Sequence, residues 1–247
     1  MNPAPGRLFL VPAPLSDGAL DAIPPSVVAA LGGVADYVVE NERTARRFLS
    51  KILPNEAVDA ASFAIFDEHT KPEDVPALLG PALAGRDLGL VSEAGCPCVA
   101  DPGSRLVAAA HAVGVRVVPL PGPSSLVLAL MASGFNGQAF AFNGYLPRDA
   151  SERDTRLTAL ERESGDTGRT ELFIETPYRN GQLVTALLRV LKPDTRLSIA
   201  ADLTGKAESV ASKTIAEWRR SPPQAPETPA VFSILAAPVS PNRRRKP

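Results

Sequence analysis

Between residues 7 and 134, short apolar, β-branched runs alternate with longer segments of helical pattern. This alternation constrains the fold more than any other feature of the chain. RLFLV (7–11), ADYVVE (35–40), SFAIFD (62–67), DLGLVS (87–92) and VRVVPL (115–120) read as five strands. Between them, PPSVVAALGG (24–33) reads as a helix opening on proline and closing on glycine, and ERTARRFLSKIL (42–53) as a second helix. PEDVPALLGPALAG (72–85) is helical within limits set by Pro76 and Pro81. DPGSRLVAAAHAVG (101–114) and PGPSSLVLALMASG (121–134) complete the set, with Pro123 near the start of the last. Strand, helix and strand at this spacing predict βαβ units and a mostly parallel five-stranded sheet.

After Gly134 the pattern changes. QAFAFNGYL (138–146), TELFIE (170–175), RLSIAADL (196–203) and PAVFSILAA (229–237) read as strands with mixed neighbours. SERDTRLTALERES (151–164), NGQLVTALLRVL (180–191) and TIAEWRR (214–220) read as helices, with Ser151 the expected cap of the first. GKAESVAS reads as a connection, and the proline-rich SPPQAPETP as a loop within a domain. The expected organisation is therefore α/β with two domains. Residues 1–135 form an N-terminal α/β domain, 136–240 a C-terminal α/β domain with a mixed sheet, and 241–247 a basic tail. Proline is abundant, at 25 residues, yet with 18 glycines it stays below the range of low-complexity chains, so the prolines punctuate folded structure.

Several classes are disfavoured. No apolar window approaches the ~18 residues of a membrane span, so no membrane association is expected. The first residues lack the basic and apolar regions of a signal peptide, which makes a cytoplasmic location the expectation. Cys96 and Cys98 cannot close a tetrahedral zinc site with His69 and His111 so far off in sequence; small, buried, reduced thiols and no metal are expected. Net charge is −1, but residues 1–120 carry 9 basic and 14 acidic side chains and residues 121–247 carry 17 and 13. The tail residues Arg243, Arg244, Arg245 and Lys246 read either as a solvated terminus or as a nucleic-acid contact. Walker A, G-x-G-x-x-G, H-E-x-x-H and G-x-S-x-G patterns are all absent, and His111 in its alanine-rich helix reads as structural.

In an open parallel sheet, ligands bind beyond the carboxyl ends of the strands. Three such ends are rich in turn residues: VPAPLSDG (11–18), SEAGCPCVADPG (92–103) and LPGPSSL (120–126). They are expected to cluster on one rim. Arg43, Arg47 and Lys51 follow at intervals of four on the second helix, with Arg46 alongside. This makes a stripe suited either to solvent or to backbone phosphates.

These loops, in this order, resemble the tetrapyrrole methylase family of S-adenosylmethionine-dependent methyltransferases. The likeness is greatest to its ribosomal RNA small subunit methyltransferase I branch. It is carried by LFLVPAPLSD, LVSEAGCPCVADPGSRLV, VVPLPGPSSLVLALMASG, FNGYLPRDASER, FIETPYR and ADLTGKAESV, which together cover nearly the whole chain. The chain departs from that branch at Glu40-Asn41-Glu42-Arg43, where the branch typically has E-D-T-R.

The resemblance implies two α/β domains with S-adenosylmethionine in the cleft between them, and a homodimer. It implies cofactor contacts from Ser92, Glu93, Ala94, Gly95, Ser124, Ser125, Tyr145 and Leu146. It implies transfer of a methyl group to a ribose 2′-hydroxyl of 16S rRNA in the small subunit. Methylation of a tetrapyrrole ring carbon, or an inactive binding module, stand as alternatives. Lys206 and Glu208 are the candidates for managing the hydroxyl proton or oxyanion. Pro12, Arg43, Arg47, Tyr178 and Arg179 are the candidates for substrate binding. Glu93 can offset the sulfonium charge or act locally as a cap or ion-pair partner.

Overall fold

The computed structural model describes residues 4–238. The chain divides between Ser124 and Ser125 into two compact units.

The first unit is built on five parallel strands. In chain order its elements are β1 (Arg7–Val11), α1 (Pro25–Leu31), β2 (Asp36–Val39), α2 (Glu42–Leu49), α3 (Asn55–Asp59), β3 (Ser62–Ile65), α4 (Gly80–Leu83), β4 (Leu88–Val91), α5 (Ser104–Ala112) and β5 (Arg116–Pro119). The sheet order is β3-β2-β4-β1-β5, every pair parallel. All four residues of β4 are buried, as befits a strand covered on both faces. Gly89 in β4 is required by its neighbour: a Cβ there would lie 2.7 Å from the ring of Tyr37 on β2. That ring stacks on Phe63 of β3 at 5.5 Å.

The helices follow from their ends and apolar faces. Asn41 caps α2, its side chain accepting from the amides of Arg43 and Thr44. Ala45, Phe48 and Leu49 face inward, three and four residues apart. The helix ends at Leu49 rather than continuing to 53, so Lys51 lies just beyond it. Prolines reshape the next segment. Pro72–Leu79 runs as a 3-10 helix with Pro76 inside, and only Gly80–Leu83 is α-helical.

The second unit comprises α6 (Ser125–Ser133), β6 (Phe140–Tyr145), α7 (Ala150–Thr167), β7 (Thr170–Glu175), α8 (Asn180–Val190), β8 (Arg196–Ala201), β9 (Ser209–Thr214), α9 (Ile215–Arg220) and β10 (Ala230–Leu235). Its sheet order is β6-β7-β10-β8-β9. Only β6 and β7 run parallel; the other pairs are antiparallel. Phe173 and Phe232, paired in register, stack in parallel planes within a core that includes Leu157, Leu183, Leu197 and Trp218.

Three details differ from the sequence reading. The unit boundary precedes α6, because that helix packs on β8, β9 and β10, and Ser212 donates to the Ser133 carbonyl. The cap of α7 is Asp149, whose carboxylate accepts from the Glu152 amide, and Ser151 lies inside the helix. The segment read as a connection contains β9, an exposed edge strand paired to β8 along its whole length. Thr214 at its end caps α9 in a reciprocal box with Glu217.

Candidate functional site

The three turn-rich loops of the first unit do converge. The loops after β1 and β4 are joined by an antiparallel bridge between Ala13 and Gly95, with both amides donating at 2.9–3.0 Å. Gly95 has φ of 71°, and a Cβ there would press on Leu15 and the Pro123 carbonyl. The loop after β5 joins them where Gly122 lies against Pro12; a Cβ on Gly122 would sit 2.3 Å from the proline ring. Ser92 is buried and donates to the Gly95 carbonyl at 2.7 Å, which fixes the first turn after β4. Asp101 closes the same loop, accepting from the amides of Cys98 and Gly103. Cys98 and Ala100 hold left-handed backbone there, a strained conformation of the kind that gathers at functional sites.

Charge around this rim is mostly acidic. Burial, reinforced by repulsion from Asp101, Glu93 and Asp67, holds the Glu40 carboxyl above the usual carboxylate range. Burial also raises Asp101, against the pull of its two amide donors. Glu93 is exposed and accepts from the Thr44 hydroxyl at 2.6 Å, so a carboxylate from the β4 loop is tied to the first turn of α2. The thiols are unreactive by environment: burial raises Cys96, and burial with Asp101 nearby pushes Cys98 up to about 11.

A pocket of about 260 Å³ opens beside this loop pair. Its wall runs from Ala13 to Gly18, along Thr44, Arg47, Phe48 and Lys51, and back through Ser92, Glu93 and Ala94. Of the predicted cationic stripe, Arg47 and Lys51 line it. Arg43 is exposed outside that lining, and Arg46 turns to Glu42, the Val58 carbonyl and the Phe63 ring. Pro12 is buried and its ring is taken up by Gly122. Ala94 is exposed, and Ser124 is half-buried at the end of the β5 loop.

In the second unit, Ser125 opens α6. Tyr145 is 56% exposed at the end of β6, and Leu146 beside it is buried. Tyr178 is 76% exposed, whereas Arg179 is largely enclosed. Its guanidinium pairs with the buried Glu175 carboxylate at 2.9 Å and reaches the Leu146 carbonyl. Burial, with Glu175 and Tyr178 nearby, raises the Tyr145 hydroxyl above its ordinary value. Lys206 and Glu208 are exposed on a loop held by Asp202, which accepts from Ala207, and by Glu208, which accepts from Thr204. The basic tail lies outside the described residues.

A family model described as Tetrapyrrole (Corrin/Porphyrin) Methylases matches residues 7–218. The chain belongs to the tetrapyrrole methylase family. Among curated relatives, a protein of Vibrio cholerae named ribosomal RNA small subunit methyltransferase I is 33% identical over 210 residues, which is 85% of this chain and 69% of that one. The protein of the same name from Pseudomonas aeruginosa is 34% identical over 212 residues, or 86% of this chain and 71% of that one. Among solved structures, the methyltransferase CobJ superposes with a TM-score of 0.64 at 21% identity, over 94% of this chain and 95% of that one, so the methylases share this fold.

Sequence reasoning missed Thr44, Glu40 and Asp101. Asp101 sits in a D-P-G turn, a legible signal for a side chain closing its own loop. The approach of Thr44 to Glu93, 49 residues on, left no local trace.

Proposed function

We propose that this chain methylates a ribose 2′-hydroxyl of small-subunit ribosomal RNA, with the family's S-adenosylmethionine as methyl donor. The observation that carries the reading is the identity of about a third to proteins of that name across more than four-fifths of the chain. The residues of the first unit suit the cofactor. Glycines where a side chain would collide, and loops locked to each other through backbone, give a pre-shaped rim at the carboxyl ends of β1 and β4. Ser92, Glu93, Ala94, Gly95 and Ser124 would hold the cofactor there, with Glu93 offsetting its positive charge. When bound, it supplies an already activated methyl group, so the protein has mainly to align the acceptor and exclude water.

The altered Glu40-Asn41-Glu42-Arg43 segment keeps its local job, since Asn41 caps α2 as aspartate would. Lys206, exposed and without a side-chain partner among the described residues, and Glu208 are the groups for stabilising the ribose oxygen or taking its proton. Ser125, Tyr145, Leu146 and Tyr178 are further ligand contacts in this reading, and Arg43 a further contact to RNA. A cytoplasmic homodimer accompanies it. Among the described residues no helix is long and apolar enough to cross a membrane.

Calorimetry with S-adenosylmethionine tests the cofactor. Saturable binding is expected, and none at millimolar cofactor would overturn the reading.

A further inference from the structure

We propose that the pocket between α2 and the loops after β1 and β4 receives a single nucleotide of the RNA, with its phosphate on Arg47 and Lys51. This rests on the RNA reading above and adds to it a specific binding subsite.

The pocket lies wholly within the first unit and has the two-sided chemistry a nucleotide needs. Its apolar part is made by Phe48, Leu20 and Val91, a surface that suits the face of a base. Its α2 side carries two positive charges, Arg47 and Lys51, four residues apart. Neither makes an ion pair or a side-chain hydrogen bond among the described residues. By contrast Arg7 and Arg86 are each locked to an aspartate, Arg46 to Glu42, and Arg105 to two backbone carbonyls. Two exposed, uncommitted cations at the mouth of a concave site are what a phosphate requires.

The acids of the pocket, Asp17 and Glu93, come from the two loops, and Glu93 is already engaged by Thr44 at the first turn of α2. Asp17, on the loop after β1, is placed to accept hydrogen bonds from a base edge while the phosphate stays on Arg47 and Lys51. Ser16, also in the wall, has a buried hydroxyl with no partner among the described residues. A volume of about 260 Å³ falls below the ~300–1,000 Å³ typical of drug-sized ligands, which fits one extruded nucleotide and not a macrocycle.

The test compares methyl transfer to undermethylated 30S subunits by the unaltered protein, by Arg47→Gln/Lys51→Gln and by Arg116→Gln, each at several salt concentrations. All three side chains are exposed, so thermal melts should coincide. The double variant is expected to raise KM for 30S about tenfold and to lower the salt slope of log KM by about 1, the loss of one phosphate contact. Its affinity for S-adenosylmethionine should be unchanged. Arg116→Gln, at the amino end of β5 and outside the pocket, should leave KM within twofold. An unchanged KM in the double variant, or an Arg116→Gln effect of equal size, overturns the pocket and leaves the RNA reading standing. Loss of S-adenosylmethionine affinity in the double variant would assign the pocket to the cofactor. If the unaltered protein transfers no methyl group to 30S, the RNA reading fails and this inference falls with it.

Discussion

Glu40 is a carboxyl that the fold makes uncomfortable. It is half-buried at the end of β2, with Asp101, Glu93 and Asp67 around it, and its proton is held above the usual carboxylate range. A carboxyl more protonated in the folded chain than in the unfolded one favours folding at low pH. That contribution is complete below the ordinary carboxylate range and is lost as pH rises through Glu40's own folded value. Glu40→Gln should therefore raise the melting temperature at neutral pH and leave it unchanged near pH 3. A melting temperature that falls at neutral pH would mean that the carboxylate is stabilised by a partner. Arg179 presents the opposite case. It neutralises Glu175, whose side chain is almost wholly enclosed. Arg179→Ala should cost about 3 kcal/mol in denaturant unfolding, because it strands a buried charge. An unchanged stability would return Arg179 to the role of a free substrate-binding residue.

Among the elements, α2 shows how a local rule serves a distant site. Its cap is Asn41, its inward face is Ala45, Phe48 and Leu49, and its first turn holds Glu93 through Thr44. Asn41→Ala should cost about 1 kcal/mol of stability, and Asn41→Asp almost nothing, since both side chains accept the same amide bonds. Equal losses would show that the amide, and not the cap, is what matters there. The loops after β1, β4 and β5 are held together by close backbone approach. Gly122→Ala places a carbon against the Pro12 ring, so the loops must part. Binding of S-adenosylmethionine by calorimetry should weaken at least tenfold while circular dichroism stays native. Undiminished binding would detach the cofactor from these loops.

At the scale of the whole molecule, the legible parts were those with a periodic or punctuated signal. The first unit's strands are short, mostly apolar runs, continuous in β1 and β4 because the middle of a parallel sheet is covered on both faces, and each was readable from its own residues. The turn-rich loops were readable too, since glycine and proline mark where backbone must bend or pack closely. β9 was not. SVASKT has little apolar content, and it is a strand because β8 offers it an edge. The start of the second unit was also obscure. α6 is apolar on nearly every side, and nothing in its pattern tells which sheet it will cover. Within the site, the loops could be foreseen and the residues linking them could not, because Thr44–Glu93 and Pro12–Gly122 are long-range meetings.

Nucleoside analysis decides whether a ribose hydroxyl of small-subunit rRNA is the acceptor. Undermethylated 30S subunits are incubated with the protein and methyl-labelled S-adenosylmethionine, and the 16S rRNA is digested to nucleosides. Label is expected in a single 2′-O-methylated nucleoside. Label on a base, label appearing only when uroporphyrinogen replaces the 30S subunit, or no label at all would contradict it.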